Sequence, residues 1–186
     1  MKVIAVVGCG RIAKGSHFPA FDKMDNIRIK YACDLIESKA QAMKDKYEKV
    51  EQAITDYKIA LADPEVDTVW VLTPNYAHYT VTMDALRAGK NVMCEKPMAI
   101  NAAEAKKMVE AAKRTGKKLS IGYQSRQRPD SKYMKMEADQ GTFGDIYFAK
   151  AHAIRRRAVP TWGVFLNKEE QGGGPLIDIG THALDL

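Results

Sequence analysis

A regular alternation of short apolar runs with segments of helical periodicity is the feature that most constrains the fold of this chain. Parallel strands joined by crossover helices produce such an alternation. Five strands are predicted from the apolar runs: Lys2–Val7, Ile27–Cys33, Thr68–Thr73, Asn91–Cys94 and Lys118–Tyr123. The pattern therefore predicts a doubly wound α/β domain with a parallel sheet over residues 1–123.

Helical spacing predicts three helices between these strands, at Ile36–Tyr47, Asn75–Gly89 and Asn101–Gly116. The last two begin with asparagines that are predicted as N-caps, because a short polar side chain can accept a hydrogen bond from the first turn. The helix after Asn75 is predicted to bury three apolar side chains: Val81, Ala85 and Ala88.

The pattern changes after Tyr123. A helix over Ser131–Asp139 and a strand over Asp145–Arg155 are predicted, and the run Gly172–Pro175 then leads into a helix that reaches Leu186. One strand and two helices do not complete a covered sheet. Residues 124–186 are therefore predicted to be the start of a second domain whose remaining strands are missing.

Charge and composition argue against several function classes. Lys and Arg exceed Asp and Glu by 29 to 23, a net charge of +6, but acidic residues are interleaved along the chain. A nucleic-acid-binding face usually concentrates its charge, so no nucleic-acid partner is predicted. The one dense cluster, Arg155–Arg157, either contacts an acidic sugar or ends the predicted strand, and the strand end is the favoured interpretation.

The apolar runs and the cysteines bear on location. No run approaches the ~18 apolar residues of a membrane span, and the opening run is shorter than the core of a signal peptide. Three cysteines are too few for a disulfide framework, and none has the spacing of zinc ligands. We therefore predict a cytoplasmic protein with no membrane partner and no metal.

The motif Gly8-Cys9-Gly10-Arg11-Ile12-Ala13 directly follows the first strand and opens a helix. In this context Gly8 allows a tight turn, Gly10 lets the backbone approach a pyrophosphate, and Ala13 permits close packing of helix on strand. The N–H groups at the helix start, from Arg11 and Ile12, favour an anion. The motif therefore predicts a phosphate-binding loop.

Asp34 ends the second strand and lies 24 residues after Gly10. This is close to the roughly 20-residue spacing expected between the glycine motif and an acid that binds the adenosine ribose. Its charge would repel a 2′-phosphate, and Leu35 and Ile36 supply no cation to hold one. The loop and this acid together predict a Rossmann domain that binds NAD, with NADP less favoured. Asp34 can also cap the turn before Ile36, and both roles are compatible.

Polar residues follow the next two strands at the carboxyl edge of the sheet, where open α/β sheets bind ligands. The first group is Thr73-Pro74-Asn75 with His78, which is either a surface histidine or a group near the cofactor. The second is Glu95-Lys96-Pro97. For Lys96, the neighbouring carboxylate favours the charged ammonium and burial favours the neutral amine.

Asp178, His182 and Asp185 have the i, i+4, i+7 spacing that places them on one stripe of the last helix. An imidazole beside a carboxylate suits general acid and base catalysis near neutral pH. The alternatives are a polar helix face or half of a metal site. A metal site needs further ligands, and no other His or Cys has suitable spacing.

With these motifs in the same order along its whole length, the chain resembles the Gfo/Idh/MocA family of NAD(P)-dependent oxidoreductases. The resemblance implies a Rossmann domain followed by an α+β domain with a large, open, mostly antiparallel sheet, often an oligomer interface. A homo-oligomer formed through the second domain is therefore expected. The chain stops after the Asp178–His182 helix, so it is predicted to be a fragment or a truncated product.

The resemblance also implies roles for particular residues. His182 removes a proton from a substrate hydroxyl, Asp178 orients His182 or the substrate, and Lys96 binds the reacting oxygen. The nicotinamide end of the cofactor is expected to contact Glu95 and the loop Thr73–Asn75. Further candidates for the same pocket are Gln124, Arg126 and Trp162.

The implied activity is hydride transfer between NAD and a secondary hydroxyl or ketone of a sugar, sugar acid or cyclic polyol. Two alternatives remain open. One is an NAD-binding regulatory or scaffold protein without turnover, against which the presence of Lys96, Asp178 and His182 argues. The other is NAD-dependent glycoside cleavage through transient oxidation.

Overall fold

The computed structural model describes residues 1–152, 154, 156, 160–161 and 163–186. Its strands are β1 (Lys2–Val7), β2 (Ile27–Cys33), β3 (Val50–Ile54), β4 (Thr68–Val71), β5 (Asn91–Cys94) and β6 (Leu119–Ile121). They form one sheet in the order β3-β2-β1-β4-β5-β6, and every neighbouring pair is parallel. The predicted parallel α/β sheet is confirmed.

Five helices accompany the sheet: α1 (Phe18–Asp22), α2 (Glu37–Lys46), α3 (Tyr57–Ala62), α4 (Asn75–Arg87) and α5 (Ala102–Thr115). A π-helical turn, Ala13–His17, leads directly into α1. At α5 the predicted cap is confirmed, because Asn101 Oδ1 accepts a hydrogen bond from Glu104 N at 2.9 Å. Gly116 ends this helix with φ of 66°.

Both faces of the sheet are covered, because successive side chains of a strand point to opposite faces. Ala5 and Val7 of β1 belong to a buried cluster that includes Met108 of α5. Ile4 and Val6 belong to a second buried cluster on the other face, which includes side chains of α1 and α2. The sheet therefore lies between two layers of helices.

The strand order reverses at β1, since β2 and β3 lie to one side of it and β4, β5 and β6 to the other. Chain connections leave the carboxyl ends of β1 and β4 in opposite directions, and this opens a crevice that ligands occupy in such sheets. Gly8 follows β1 and Leu72 follows β4. The glycine motif therefore lies at this crevice.

Within residues 1–123, two elements were not predicted, β3 and α3. Strand β3 lies at the sheet edge and is half polar, with only Val50 fully buried, so it has no clear apolar run. Helix α3 has six residues, too few to display a helical period. Short elements of this kind are set by their neighbours rather than by a local pattern.

Helix α4 differs from the prediction in two details. Asn75 makes no capping hydrogen bond, and its amide instead donates to the main-chain oxygen of Gln171 at 3.2 Å and to the Gln171 side chain. Val81 and Ala85 are buried as predicted. Ala88 is exposed, because it forms the C-cap beyond the last full turn.

After β6 a 3₁₀ turn (Gln124–Gln127) leads into α6 (Pro129–Asp139), which matches the helix predicted there. Helix α7 (Lys168–Gln171) follows, and a π-helical turn (Leu176–Gly180) continues into α8 (Thr181–Asp185). Within the described ranges, no helix is long and apolar enough to cross a membrane.

The strand predicted at Asp145–Arg155 differs from the structure, because residues 145–152 and 154 form no strand. Tyr147 and Phe148 of this segment are 97% and 73% exposed. A strand is stable only beside a pairing partner, and the described residues after Tyr123 provide none. Arg155 and Arg157 of the predicted arginine cluster lie outside the described residues.

Candidate functional site

The glycine loop begins with Gly8, whose φ is +101°, a conformation that residues with a side chain rarely adopt. A Cβ at this position would lie 2.5 Å from the Leu72 carbonyl oxygen. A Cβ at Gly10 would meet no atom within 4 Å. Gly8 is thus needed for the turn itself, whereas Gly10 leaves open space beside the backbone.

The residues after Gly10 start the helix. Arg11 and Ile12 are exposed, and Ala13 is fully buried. The small side chain of Ala13 lets this turn pack closely, as predicted from the motif. Burial raises the pKa of the intervening Cys9 to about 12, so its thiol stays neutral.

Asp34 braces the glycine loop. Its Oδ2 accepts a hydrogen bond from Cys9 N at 2.9 Å, and its Oδ1 accepts one from Ile36 N at 3.0 Å. The second bond fixes the turn before α2, which is the local role weighed from the sequence. Because each carboxylate oxygen accepts more than one hydrogen bond, Asp34 retains capacity for a ribose hydroxyl.

The carboxyl end of β4 carries Thr73 and the exposed Pro74. His78 is 1% exposed, and its ring nitrogens lie 2.7 Å from the Pro97 oxygen and 2.9 Å from the Thr73 oxygen. It is therefore an internal brace between two loops rather than a surface histidine. Thr73 Oγ1 is buried and has no hydrogen-bond partner among the described residues.

Glu95 lies at the carboxyl end of β5 and its side chain is mostly buried. Its Oε1 is 2.8 Å from His17 Nε2, and its Oε2 accepts a hydrogen bond from Lys96 N at 3.1 Å. Burial by itself raises the pKa of Glu95, but the hydrogen bond and charge of His17 lower it, and the net pKa lies below the ordinary value.

Lys96 and Asp178 form an ion pair across 82 residues of sequence. Lys96 Nζ donates to Asp178 Oδ1 at 2.8 Å and to the Asp178 main-chain oxygen at 2.9 Å. An ammonium has three donors, so these two bonds leave a third for another acceptor. The structure brings together two of the three predicted catalytic residues.

His182, the third, is close enough to Lys96 and Asp178 for their charges to act on its pKa. Its ring is 6.0 Å from the Tyr123 ring in an edge-to-face arrangement, and its Nδ1 is buried without a hydrogen-bond partner among the described residues. Burial and the charge of Lys96 lower the pKa of His182, although Glu95 and Asp178 act in the opposite direction. The imidazole is therefore neutral at neutral pH.

The predicted stripe on the last helix is modified by the π-helical turn. Asp178 bonds to Lys96, and no bond from it to His182 is found among the described residues. A π-helical turn has more residues per turn than an α-helix, so i and i+4 do not align. Asp185 instead pairs with Arg126 through two hydrogen bonds of 2.8 and 2.7 Å.

Gln124, another predicted cofactor contact, is exposed at the start of the 3₁₀ turn after β6. Trp162 lies outside the described residues. Two residues escaped prediction: His17, which binds Glu95, and Gln171, which binds Asn75. Their partners are 78 and 96 residues away, so no local pattern signals them.

The chain's own residues fit a dinucleotide. The open space beside Gly10, the helix start at Arg11 and the acceptor capacity of Asp34 suit its pyrophosphate and ribose. After β4, the buried Oγ1 of Thr73, which has no hydrogen-bond partner within the described ranges, provides a polar group for its other end.

A model of the "Oxidoreductase family, NAD-binding Rossmann fold" (GFO_IDH_MocA) matches residues 2–123. The model of the "GFO/IDH/MocA C-terminal domain" matches residues 132–186. The two models occur in the order in which the parallel sheet and the segment with α6 to α8 occur in the chain.

Among curated proteins, the chain is 40% identical to the D-glucoside 3-dehydrogenase of Escherichia coli over 98% of its own length and 52% of the relative's. It is 29% identical to the inositol 2-dehydrogenase of Salmonella paratyphi B over 84% of its own length and 47% of the relative's. The chain thus spans about half the length of these curated relatives.

Among solved structures, an NAD binding oxidoreductase from Klebsiella pneumoniae matches with a TM-score of 0.78 and 28% identity. The match covers 98% of this chain and 51% of the other. The same backbone arrangement therefore extends over nearly all of the present chain.

Proposed function

Because the chain belongs to the Gfo/Idh/MocA family of oxidoreductases, we propose that it binds NAD and transfers hydride between NAD and a secondary hydroxyl or ketone. The substrate class is a sugar, a sugar acid or a cyclic polyol. The observation that carries the proposal is the Lys96–Asp178 ion pair, which lies beside a neutral His182 at the carboxyl edge of the sheet. NAD, when bound, supplies the hydride acceptor.

In this proposal His182 is the general base. Its Nδ1 is buried, so Nε2 is the nitrogen that meets the substrate hydroxyl and accepts its proton. The lowered pKa keeps the imidazole neutral at neutral pH, and in the tautomer that carries its proton on Nδ1 the Nε2 lone pair accepts the substrate proton. A positioned base of this kind typically accelerates a reaction by about 10²–10⁴-fold.

Lys96 binds the reacting oxygen through its third donor, and its charge stabilises the alkoxide that develops as the proton leaves. Asp178 holds the ammonium in place through its carboxylate and its main-chain oxygen. This role for Asp178 acts through Lys96 and is supported by the 2.8 Å contact.

Cofactor binding is assigned to the glycine loop, to Asp34 and to the residues after β4 and β5. The predicted contacts to the nicotinamide end are Thr73, Pro74, Asn75, Glu95 and, at the edge, Gln124. The carboxylate of Asp34 supports NAD over NADP, because the described residues next to it, Leu35 and Ile36, are apolar and exposed.

Residues 1–123 are proposed to form the dinucleotide-binding domain, and residues 124–186 to belong to an α+β domain with a mostly antiparallel sheet. The C-terminal family match supports the second assignment.

Copies of the protein are proposed to associate through this domain, which carries exposed aromatic side chains at Tyr147 and Phe148. The proposed location is the cytoplasm, supported by three unpaired cysteines.

The first substrate to test is a glucoside, since the E. coli relative at 40% identity is named a D-glucoside 3-dehydrogenase. The experiment follows NADH absorbance and product formation with NAD and a methyl glucoside, for the wild type and for Lys96→Met. We expect NADH and a keto-glucoside from the wild type, and at least a hundredfold lower rate from the variant.

Each contrary outcome has a distinct meaning. If NAD binds but no hydride transfer occurs with any glucoside, sugar or polyol, the protein is a dinucleotide-binding protein without turnover. If a free sugar is released without net NADH, the reaction is glycoside cleavage. Equal rates for Lys96→Met and the wild type contradict the role assigned to Lys96.

A further inference from the structure

His17 has no role in the glycine motif or in the proposed catalytic group, yet it contacts the site. It ends the π-helical turn that follows the glycine loop. Its Nε2 lies 2.8 Å from Glu95 Oε1, and the two side chains are only 14% and 16% exposed. Because a carboxylate only accepts hydrogen bonds, Nε2 carries the proton and donates it to Glu95.

The Glu95 carboxylate is held from three directions. His17 donates to Oε1, and the main-chain N–H of Lys96 donates to Oε2. On a third side the main chain of Gly122 is so close that a Cβ there would lie 3.2 Å from the carboxylate. Of these three neighbours, His17 comes from the segment that carries the glycine loop. It therefore links the phosphate-binding end of the site to the catalytic end.

The position of Glu95 indicates what its carboxylate faces. Hydride transfer requires the nicotinamide to lie beside the substrate carbon, and hence beside Lys96 and His182. Glu95 directly precedes Lys96, and its charge raises the pKa of both His182 and His78, against the effect of burial. A carboxylate at this point can accept a hydrogen bond from the carboxamide N–H₂ of the nicotinamide.

We propose that His17 is a positioning residue that aims the Glu95 carboxylate at the nicotinamide carboxamide of the bound cofactor. This inference rests on the proposed function. It assigns His17 an effect on the nicotinamide half of the cofactor only, because the other half is assigned to the glycine loop and Asp34.

The test compares two ligands that share everything except the nicotinamide: NAD and ADP-ribose. Each is titrated calorimetrically into the wild-type chain and into His17→Leu, which removes the donor. Without His17, Glu95 is no longer aimed at the nicotinamide, and its hydrogen bond to the carboxamide is lost. Loss of one hydrogen bond to a charged group predicts about a tenfold or greater rise in the Kd for NAD. The Kd for ADP-ribose is expected to stay within about twofold, because this ligand has no carboxamide for Glu95 to bind and substitutions away from a ligand have small effects.

Two further variants sharpen the result. His17→Gln keeps an N–H donor at a similar reach and is expected to restore the NAD affinity to within about threefold of wild type. His152→Leu, at an exposed histidine outside the site, is the matched control and is expected to change neither affinity. If leucine at position 17 prevents folding, His17→Asn, with its shorter side chain, is expected to show the same selective loss of NAD.

A purely structural role for His17 would disturb the glycine loop on the same segment and weaken both ligands equally. Equal weakening, or an unchanged NAD affinity, therefore overturns the inference. Wild-type chain that binds neither ligand refutes the proposed function itself, and the inference with it. If the wild-type chain binds both ligands and no variant changes either affinity, the inference alone is refuted.

Discussion

Replacement of Gly8 by alanine tests the geometry of the glycine loop quantitatively. Alanine must adopt φ near +101°, which costs about 1–3 kcal/mol. Its Cβ would also lie 2.5 Å from the Leu72 carbonyl oxygen, which belongs to a backbone that cannot rotate away. Relief of such overpacking typically costs about 1–3 kcal/mol more. The two contributions together predict a loss of about 2–6 kcal/mol in the free energy of unfolding.

Urea and thermal unfolding of Gly8→Ala measure this loss. At about 2–4 °C per kcal/mol for a domain of this size, Tm should fall by roughly 4–24 °C. Gly10→Ala is the matched control, because its Cβ meets no atom within 4 Å. We expect it to unfold within about 0.5 kcal/mol of wild type but to bind NAD more weakly. Gly8→Ala with wild-type stability would refute the reasoning.

Three further predictions concern single side chains. His182→Ala should lower kcat by at least about 10²-fold with unchanged NAD affinity, and unchanged turnover would contradict the base assignment. In the wild type, kcat/KM should fall on the acid side with a pKa below the ordinary histidine value. Hydrogen bonds from Lys30 and Glu65 N lower the pKa of Asp63 to about 2, so the stability that Asp63 contributes is full above its ordinary pKa and is lost as the pH falls to about 2. In an acid titration, Asp63→Asn should therefore lose less unfolding free energy than the wild type. Asp34→Ser should narrow the preference for NAD over NADP in a competition assay.

The parallel sheet was predictable because its interior strands are nearly all apolar. Strands β1 and β2 stand out from the polar segments around them. The glycine motif follows β1, and Asp34 follows β2. The edge strand β3 is different, since VEQAI is half polar and has only one neighbour. Burial on both faces gives a readable pattern, whereas burial on part of one face does not.

The candidate site was predicted less completely than the fold. The order of the motifs and the family resemblance predicted Lys96, Asp178 and His182 as the catalytic group, and the structure brings Lys96 and Asp178 into contact. Contacts between distant segments were missed, because Asn75 resembles a helix cap in sequence and yet binds Gln171. His17 was missed for the same reason, since its partner Glu95 follows β5 and lies 78 residues away in sequence.

The alternating pattern at 145–155 predicted a strand that the described residues lack. Alternation reports only which side chains would share a face, and a strand also needs a neighbour with which to exchange hydrogen bonds. Ile146 and Phe148 would share such a face, and both are exposed. Alternation is therefore a sound guide to a strand only where a neighbouring strand pairs with it.

The most direct test of the account is a calorimetric titration of the chain with NAD and, separately, with NADP. The glycine loop and Asp34 predict that NAD binds with clearly higher affinity than NADP. Tighter binding of NADP would contradict the role of Asp34. Binding of neither dinucleotide would contradict the central claim that this carboxyl edge is an NAD site.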